Sequence, residues 1–65
     1  MNLKMYIDKK VNILAINGKS FRGQIIDYFF PDDNETEEES IVMKTSNGGF
    51  VEFNENDIEE IAIID

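Results

Sequence analysis

Apolar residues recur along this chain in two rhythms. At the N-terminus Leu3, Tyr6 and Ile7 stand at helical spacing behind Asn2, which holds an N-cap position, and predict about two turns of amphipathic helix. So short a helix is unstable alone and must pack on something. From Val11 the rhythm changes to a β-branched, nearly continuous apolar run that reaches Ile16 and stops at Asn17-Gly18. Asn-Gly between two apolar runs is the strongest short hairpin signal, because both central residues of a type I′ turn take positive φ. The pattern predicts a first strand over residues 11–16 and a turn at 17–18.

The next run, "KSFRGQIIDYFF", is long for one strand and carries Gly23 in its middle. Before the glycine it alternates, with Phe21 inward and Arg22 outward; from Ile25 onward both faces are largely apolar. A mid-strand glycine marks a sharp bend or a close backbone approach. A bent strand whose halves bury different faces accounts for both features, and Pro31 ends its pairing. After the stretch "PDDNETEEES", Ile41 and Met43 alternate with Val42 and Lys44 in a third strand. "SNGG" at 46–49 makes a second tight turn, Phe50, Val51 and Phe53 give a fourth strand, "NEND" at 54–57 is turn chemistry, and a last strand runs around Glu60 to Ile64. A short helix and five short strands joined by tight turns predict a mainly β fold, a small, strongly bent antiparallel barrel filling one domain over residues 1–65.

Composition narrows the chemistry. The 65 residues contain no Cys and no His, which removes disulfides, thiolate zinc, thiol nucleophiles and the usual general base. Serines 20, 40 and 46 have no His partner, the lysines sit in exposed contexts, and "NGK" and "NGGF" precede strands rather than a helix, so no phosphate loop of the helix-opening kind is present. The expectation is a non-enzyme with no cofactor, no metal and no small-molecule substrate. No segment approaches the roughly 20 apolar residues that span a bilayer, and the N-terminus has no signal-peptide pattern; a cytoplasmic protein without a membrane partner is expected.

Charge is unevenly placed. Of a net −8, residues 1–22 hold Lys4, Lys9, Lys10, Lys19 and Arg22 against Asp8, while residues 23–65 hold Lys44 against the other thirteen of fourteen acids. Such a field opposes nonspecific binding to nucleic acid or anionic membrane. Two stretches carry candidate sites. Asp32, Asn34 and Thr36 have the spacing of the first three ligands of a calcium loop, but Glu37 and Met43 stand where that loop needs glycine and glutamate, so the acidic run reads as a solvated loop. Tyr28, Phe29 and Phe30 form an interaction candidate, since three adjacent aromatics cannot all be buried on one face of so small a chain. They could also stack bases, with Lys19 and Arg22 as phosphate partners, although the acids that follow would repel phosphate. Glu59 and Glu60 point to opposite faces of a strand, which argues against shared acid–base work.

The segment "KKVNILAINGKSFRGQIIDY", with its turn glycine and a second glycine five residues later, resembles the first motif of Sm-like (LSM) proteins, and "NDIEEIAIID" resembles the end of that family's second motif. The resemblance covers nearly the whole chain and implies the same small bent barrel. It does not carry over the family's RNA site: the Asp position falls at Phe29, the Asn position at Asp33 and the Arg-Gly pair at Asn54 and Glu55. The charge asymmetry in a chain with so small a core points to a protein-interaction or self-assembly module, a homo-oligomer or ring in which the basic head of one subunit meets the acidic body of the next, or a binder of another protein. The alternative is an RNA-binding Sm-like protein that makes phosphate contacts through Lys9, Lys10, Lys19 and Arg22 instead.

Overall fold

The computed structural model describes residues 2–33 and 37–64. Five antiparallel strands form one sheet: β1 (Lys10–Ala15), β2 (Ser20–Phe29), β3 (Ser40–Thr45), β4 (Phe50–Asn54) and β5 (Ile58–Ile63), in the order β4-β3-β2-β1-β5. The strands predicted from alternation are all present, shifted by one or two residues at their ends. The N-terminal segment is a correction: it makes one 3₁₀ turn, Leu3–Tyr6, rather than two α-helical turns, and the Asn2 side chain makes no capping bond. Leu3 is fully buried and anchors that turn on the sheet, while Tyr6 packs at the margin of the core. A four-residue turn held by one buried leucine needs no α-helical hydrogen-bond ladder to stay in place.

The barrel is a second correction, because the sheet does not close. β4 and β5 are its two margins, each paired on one side only. The chain leaves β4 through a 3₁₀ turn, Glu55–Asp57, and reaches β1 instead of folding back on β4. The Asp57 carboxylate accepts the Asn54 backbone N–H at 3.0 Å and fixes this crossing. The sheet curls far enough that Phe53 of β4 and Ile58 of β5 share a core with Val11, Ile13, Ile25, Ile41 and Met43. Burying a side chain of this kind contributes roughly 1.5–3 kcal/mol, so one small core of fully buried aliphatics is the main source of stability.

Two bulges make the curvature compatible with the sequence. In β2 the pairing with β3 shifts between Ile25 and Asp27, so Ile25 opposite Met43 and Tyr28 opposite Ile41 both face the core although they are three residues apart. Ile26 is the extra residue and is left exposed. The apolar run after Gly23 is thus resolved by a bulge that discards one isoleucine, not by a second buried face. In β5 the shift opposite Leu14 and Ala15 does the same for Ile58 and Ile61, with Glu59 the discarded residue.

Both hairpins use one turn. Gly18 N donates to Ala15 O and Ala15 N to Lys19 O; Gly48 N donates to Thr45 O and Thr45 N to Gly49 O. Gly18 and Gly48 take φ of +87° and +94°, while neither Asn17 nor Asn47 has positive φ. This is the three-residue loop with a left-handed glycine in third place, in place of the expected type I′ turn. Asn is accepted because its side chain bonds the backbone two residues on: Asn17 Oδ1 accepts Lys19 N at 3.0 Å and Asn47 Oδ1 accepts Gly49 N at 3.3 Å.

Candidate functional site

The aromatic candidates lie at the far end of β2. Tyr28 and Phe29 are half-buried and Phe30 is 52% exposed. Tyr28 and Phe30 meet edge to face with centroids 5.1 Å apart, and the Lys4 ammonium sits 5.2 Å from the Phe30 ring centroid. The Tyr28 hydroxyl donates to Glu39 Oε1 at 2.9 Å, and the backbone N–H of Leu3 donates to the same oxygen at 3.1 Å. Partial burial, followed by the hydrogen bond to Glu39 and its negative charge, raises the phenol above its ordinary value. Glu39 therefore ties the N-terminal turn to β2, and the aromatic group is chiefly a joint. Phe30 is its accessible part.

The acidic run is not a plain solvated loop over its described length. Pro31–Asp33 make a 3₁₀ turn. Besides the bonds to Glu39 Oε1, the Glu39 carbonyl accepts Glu55 N at 3.0 Å and Glu38 Oε1 accepts Asn56 N at 2.9 Å. These two glutamates hold the β4–β5 crossing against the β2–β3 connection. Asn34 and Thr36 of the calcium-loop spacing lie outside the described residues. Among the described residues no group of three or more acidic, His or Cys side chains is placed to hold a metal ion.

The four basic candidates separate. Lys10 and Arg22 come together on the outward face of the sheet, whereas Lys9 and Lys19 do not join them. A cation outside the predicted set, Lys44, does. Cross-strand register pairs Lys10 with Gln24 and Gln24 with Lys44, so one row across β1, β2 and β3 reads Lys-Gln-Lys, with Arg22 one step along the same face of β2. These residues, with Thr45, Ser46 and Ile64, line an open cleft of about 360 Å³ whose floor is Gly23. A Cβ on Gly23 would stand 2.1 Å from the Lys44 carbonyl oxygen, so only glycine lets β2 and β3 approach there. A second hollow continues the cleft past Arg22, Thr45 and Ser46 to Ser20, Phe21 and Asn47. Among the described residues no acid lines either. Lys44 was hidden in the sequence because it lies among thirteen acids; the alternation of β3 puts it outward, but only the register puts it beside Gln24.

The margins of the sheet are the third feature. β4 exposes Phe50 to 64%, and β5 exposes Ile63 to 46%, with Ile64 just beyond it at 42%. The charged residues on these two strands are Glu52, Glu59 and Glu60, all exposed. No helix among the described residues is long and apolar enough to cross a membrane. Compared with protein-family models, with curated proteins and with solved structures, the chain matches none.

Proposed function

We propose that this protein is a non-catalytic self-assembly module of the Sm-like type, in which β4 of one copy pairs with β5 of the next. The observation that carries the reading is the pair of one-sided margins of a single sheet, each bearing exposed large apolar side chains. An edge strand presents unpaired backbone N–H and C=O groups and is a template for another strand. Here the two templates differ, so copies join head to tail and the contact is heterologous, closing to a ring where the rotation allows. The resemblance of "KKVNILAINGKSFRGQIIDY" and "NDIEEIAIID" to Sm-like motifs supports the same reading. In a chain without His or Cys, assembly is a more economical role than catalysis.

Charge complementarity between copies is not the driver along this seam. Both margins are acidic, carrying Glu52 on one and Glu59 and Glu60 on the other. Salt should therefore strengthen association by screening repulsion, since exposed charges are screened beyond about 10 Å at 0.1 M. Light scattering across protein concentration and salt tests this. Mass should rise with concentration, more steeply at high salt, and Ile63→Glu should return the protein to a monomer by adding a like charge to an acidic edge. A monomer at every salt and concentration overturns the proposal.

A further inference from the structure

We propose that the Gly23 cleft binds a small phosphorylated polyol, whose phosphate is held by Lys10, Arg22 and Lys44 and whose hydroxyls are held by Gln24 and Ser46. The site shares only Ile64 with the sheet margins and does not rest on the assembly reading.

The charge arrangement is the first support. Three of the protein's six cations line one cleft, and no acid among the described residues does. Like charges on neighbouring strand positions repel, and in a chain of net −8 scattering these cations among the acids would be favourable. Their grouping is relieved by a bound anion. Neighbouring strands lie about 4.8 Å apart, so the Lys10 and Lys44 backbones are separated by roughly 10 Å with Gln24 between them. Two flexible ammonium groups can close on one anion across that gap, and Arg22 approaches from the side. A phosphate monoester, with close to two negative charges and several acceptor oxygens, suits three cationic donors better than a single carboxylate.

The uncharged groups define the rest of the ligand. The Ser46 hydroxyl donates to the Arg22 carbonyl at 3.2 Å, which leaves its oxygen free to accept. Gln24 Nε2 donates to the Asp8 carbonyl at 3.3 Å, which turns its amide and leaves Oε1 to accept. An oxyanion alone has no use for acceptors; a hydroxyl-bearing molecule does. Ile64 gives an apolar wall for its carbon backbone. A cleft of about 360 Å³ falls at the small end of ligand sites and fits a polyol phosphate rather than a long strand. A polymer would carry further phosphates over the acidic surface, where each is repelled. The proposed ligand stands against the expectation, drawn from the sequence, of no small-molecule partner.

Backbone amide shifts of isotope-labelled protein at low salt provide the test, with glycerol phosphate, inorganic phosphate, glycerol and a single-stranded oligonucleotide as probes. Glycerol phosphate should give saturable shifts confined to Gly23, Gln24, Lys44, Thr45 and Ser46. Inorganic phosphate should bind more weakly and glycerol not at all. Lys44→Gln should weaken binding roughly tenfold or more, through loss of a charge-assisted hydrogen bond, while Lys44→Arg retains it. If Lys44→Gln perturbs the dispersion of the spectrum, Arg22→Gln serves as the second variant. Four results overturn the proposal: no saturation at millimolar glycerol phosphate, equal shifts at Lys4, Lys9 and Lys19, unchanged affinity in both glutamine variants, or an oligonucleotide that binds while glycerol phosphate neither binds nor competes. Inorganic phosphate binding as tightly as glycerol phosphate would reduce the site to a bare anion site and overturn its polyol half.

Discussion

The two halves of β2 are one continuous strand with opposite surroundings. From Ser20 to Gln24 the strand pairs with β1 and turns Arg22 and Gln24 outward beside Lys10 and Lys44, over a cleft that no acid among the described residues lines. From Asp27 to Phe29 it pairs with β3 only, and Tyr28 is pinned to Glu39, which also holds Leu3. The first half is open and polar on its outer face; the second is stitched to the chain terminus. Two devices shape this strand: Gly23 within the first half, where β3 approaches closely, and the bulge at Ile26 between the halves, where the alternation is broken. A regular strand would carry one alternation through its length, and so one kind of face. Interrupting the alternation lets a chain of 65 residues build two environments on one strand.

Removing the first device should erase the difference at the greatest cost. Gly23→Ala places a methyl carbon 2.1 Å from the Lys44 carbonyl oxygen and 2.8 Å from Thr45 Cα, both backbone atoms that cannot swing aside. The β2–β3 ladder must part, and we expect a loss of about 3 kcal/mol or more in urea unfolding, with the cleft lost as well. Gly18→Ala meets open space, and its positive φ should cost about 1 kcal/mol, so the two glycines separate steric from conformational demand.

Cutting the second half alone should be milder and local. Glu39→Ala removes the acceptor shared by Leu3 N–H and the Tyr28 hydroxyl, and a loss of about 1–3 kcal/mol is expected from leaving partly buried donors unmet. Amide shifts should change around Leu3 and Tyr28 and not at Gly23 or Ser46. Equal changes in both regions would mean that the two halves are coupled rather than insulated by the bulge.

The smallest effect is a titration. The folded protein holds the Tyr28 phenol neutral above its ordinary value of 10.0, so the stability from this contact is complete below that pH and declines as pH rises through 10.0 toward the raised value. In a Tyr6→Phe background, phenolate absorbance should report a single midpoint above 10.0 that moves down in Glu39→Gln. A midpoint that does not respond would place the cause in burial and the charge of Glu55.

Alternation, Asn-Gly turns and the mid-strand glycine make most of the sheet legible in the sequence, because each reflects a local requirement: side chains alternate faces, left-handed turns need glycine, and backbones approach only without a Cβ. The turn type was not legible, since the same Asn-Gly pair serves a two-residue and a three-residue loop. Neither was the fate of Ile26: a run of apolar residues does not say which one a bulge will expel. The open margins escaped because whether β4 and β5 meet is decided by the path of Glu55–Asp57, not by the pattern of either strand. At the cleft, the outward positions of Arg22 and Lys44 were readable but their convergence was not. A basic head and an acidic body describe charge along the chain and do not say which side chains share a face. Residues 22 and 44 are far apart along the chain and share one face of the sheet.

The one-sided sheet margins also bear on how the protein is handled. At neutral pH, glutamates on both margins and a net charge of −8 hold copies apart unless pairing is favourable enough to overcome them. Near the isoelectric point of about 4.2 that restraint vanishes, while the hydrogen-bonding groups of β4 and β5 remain as they were. A heterologous contact has no built-in end, so what closes as a ring under one condition can continue as a filament under another. If copies pair as proposed, acidity acts as the control on chain growth, and lowering the pH toward 4.2 should lengthen the assemblies.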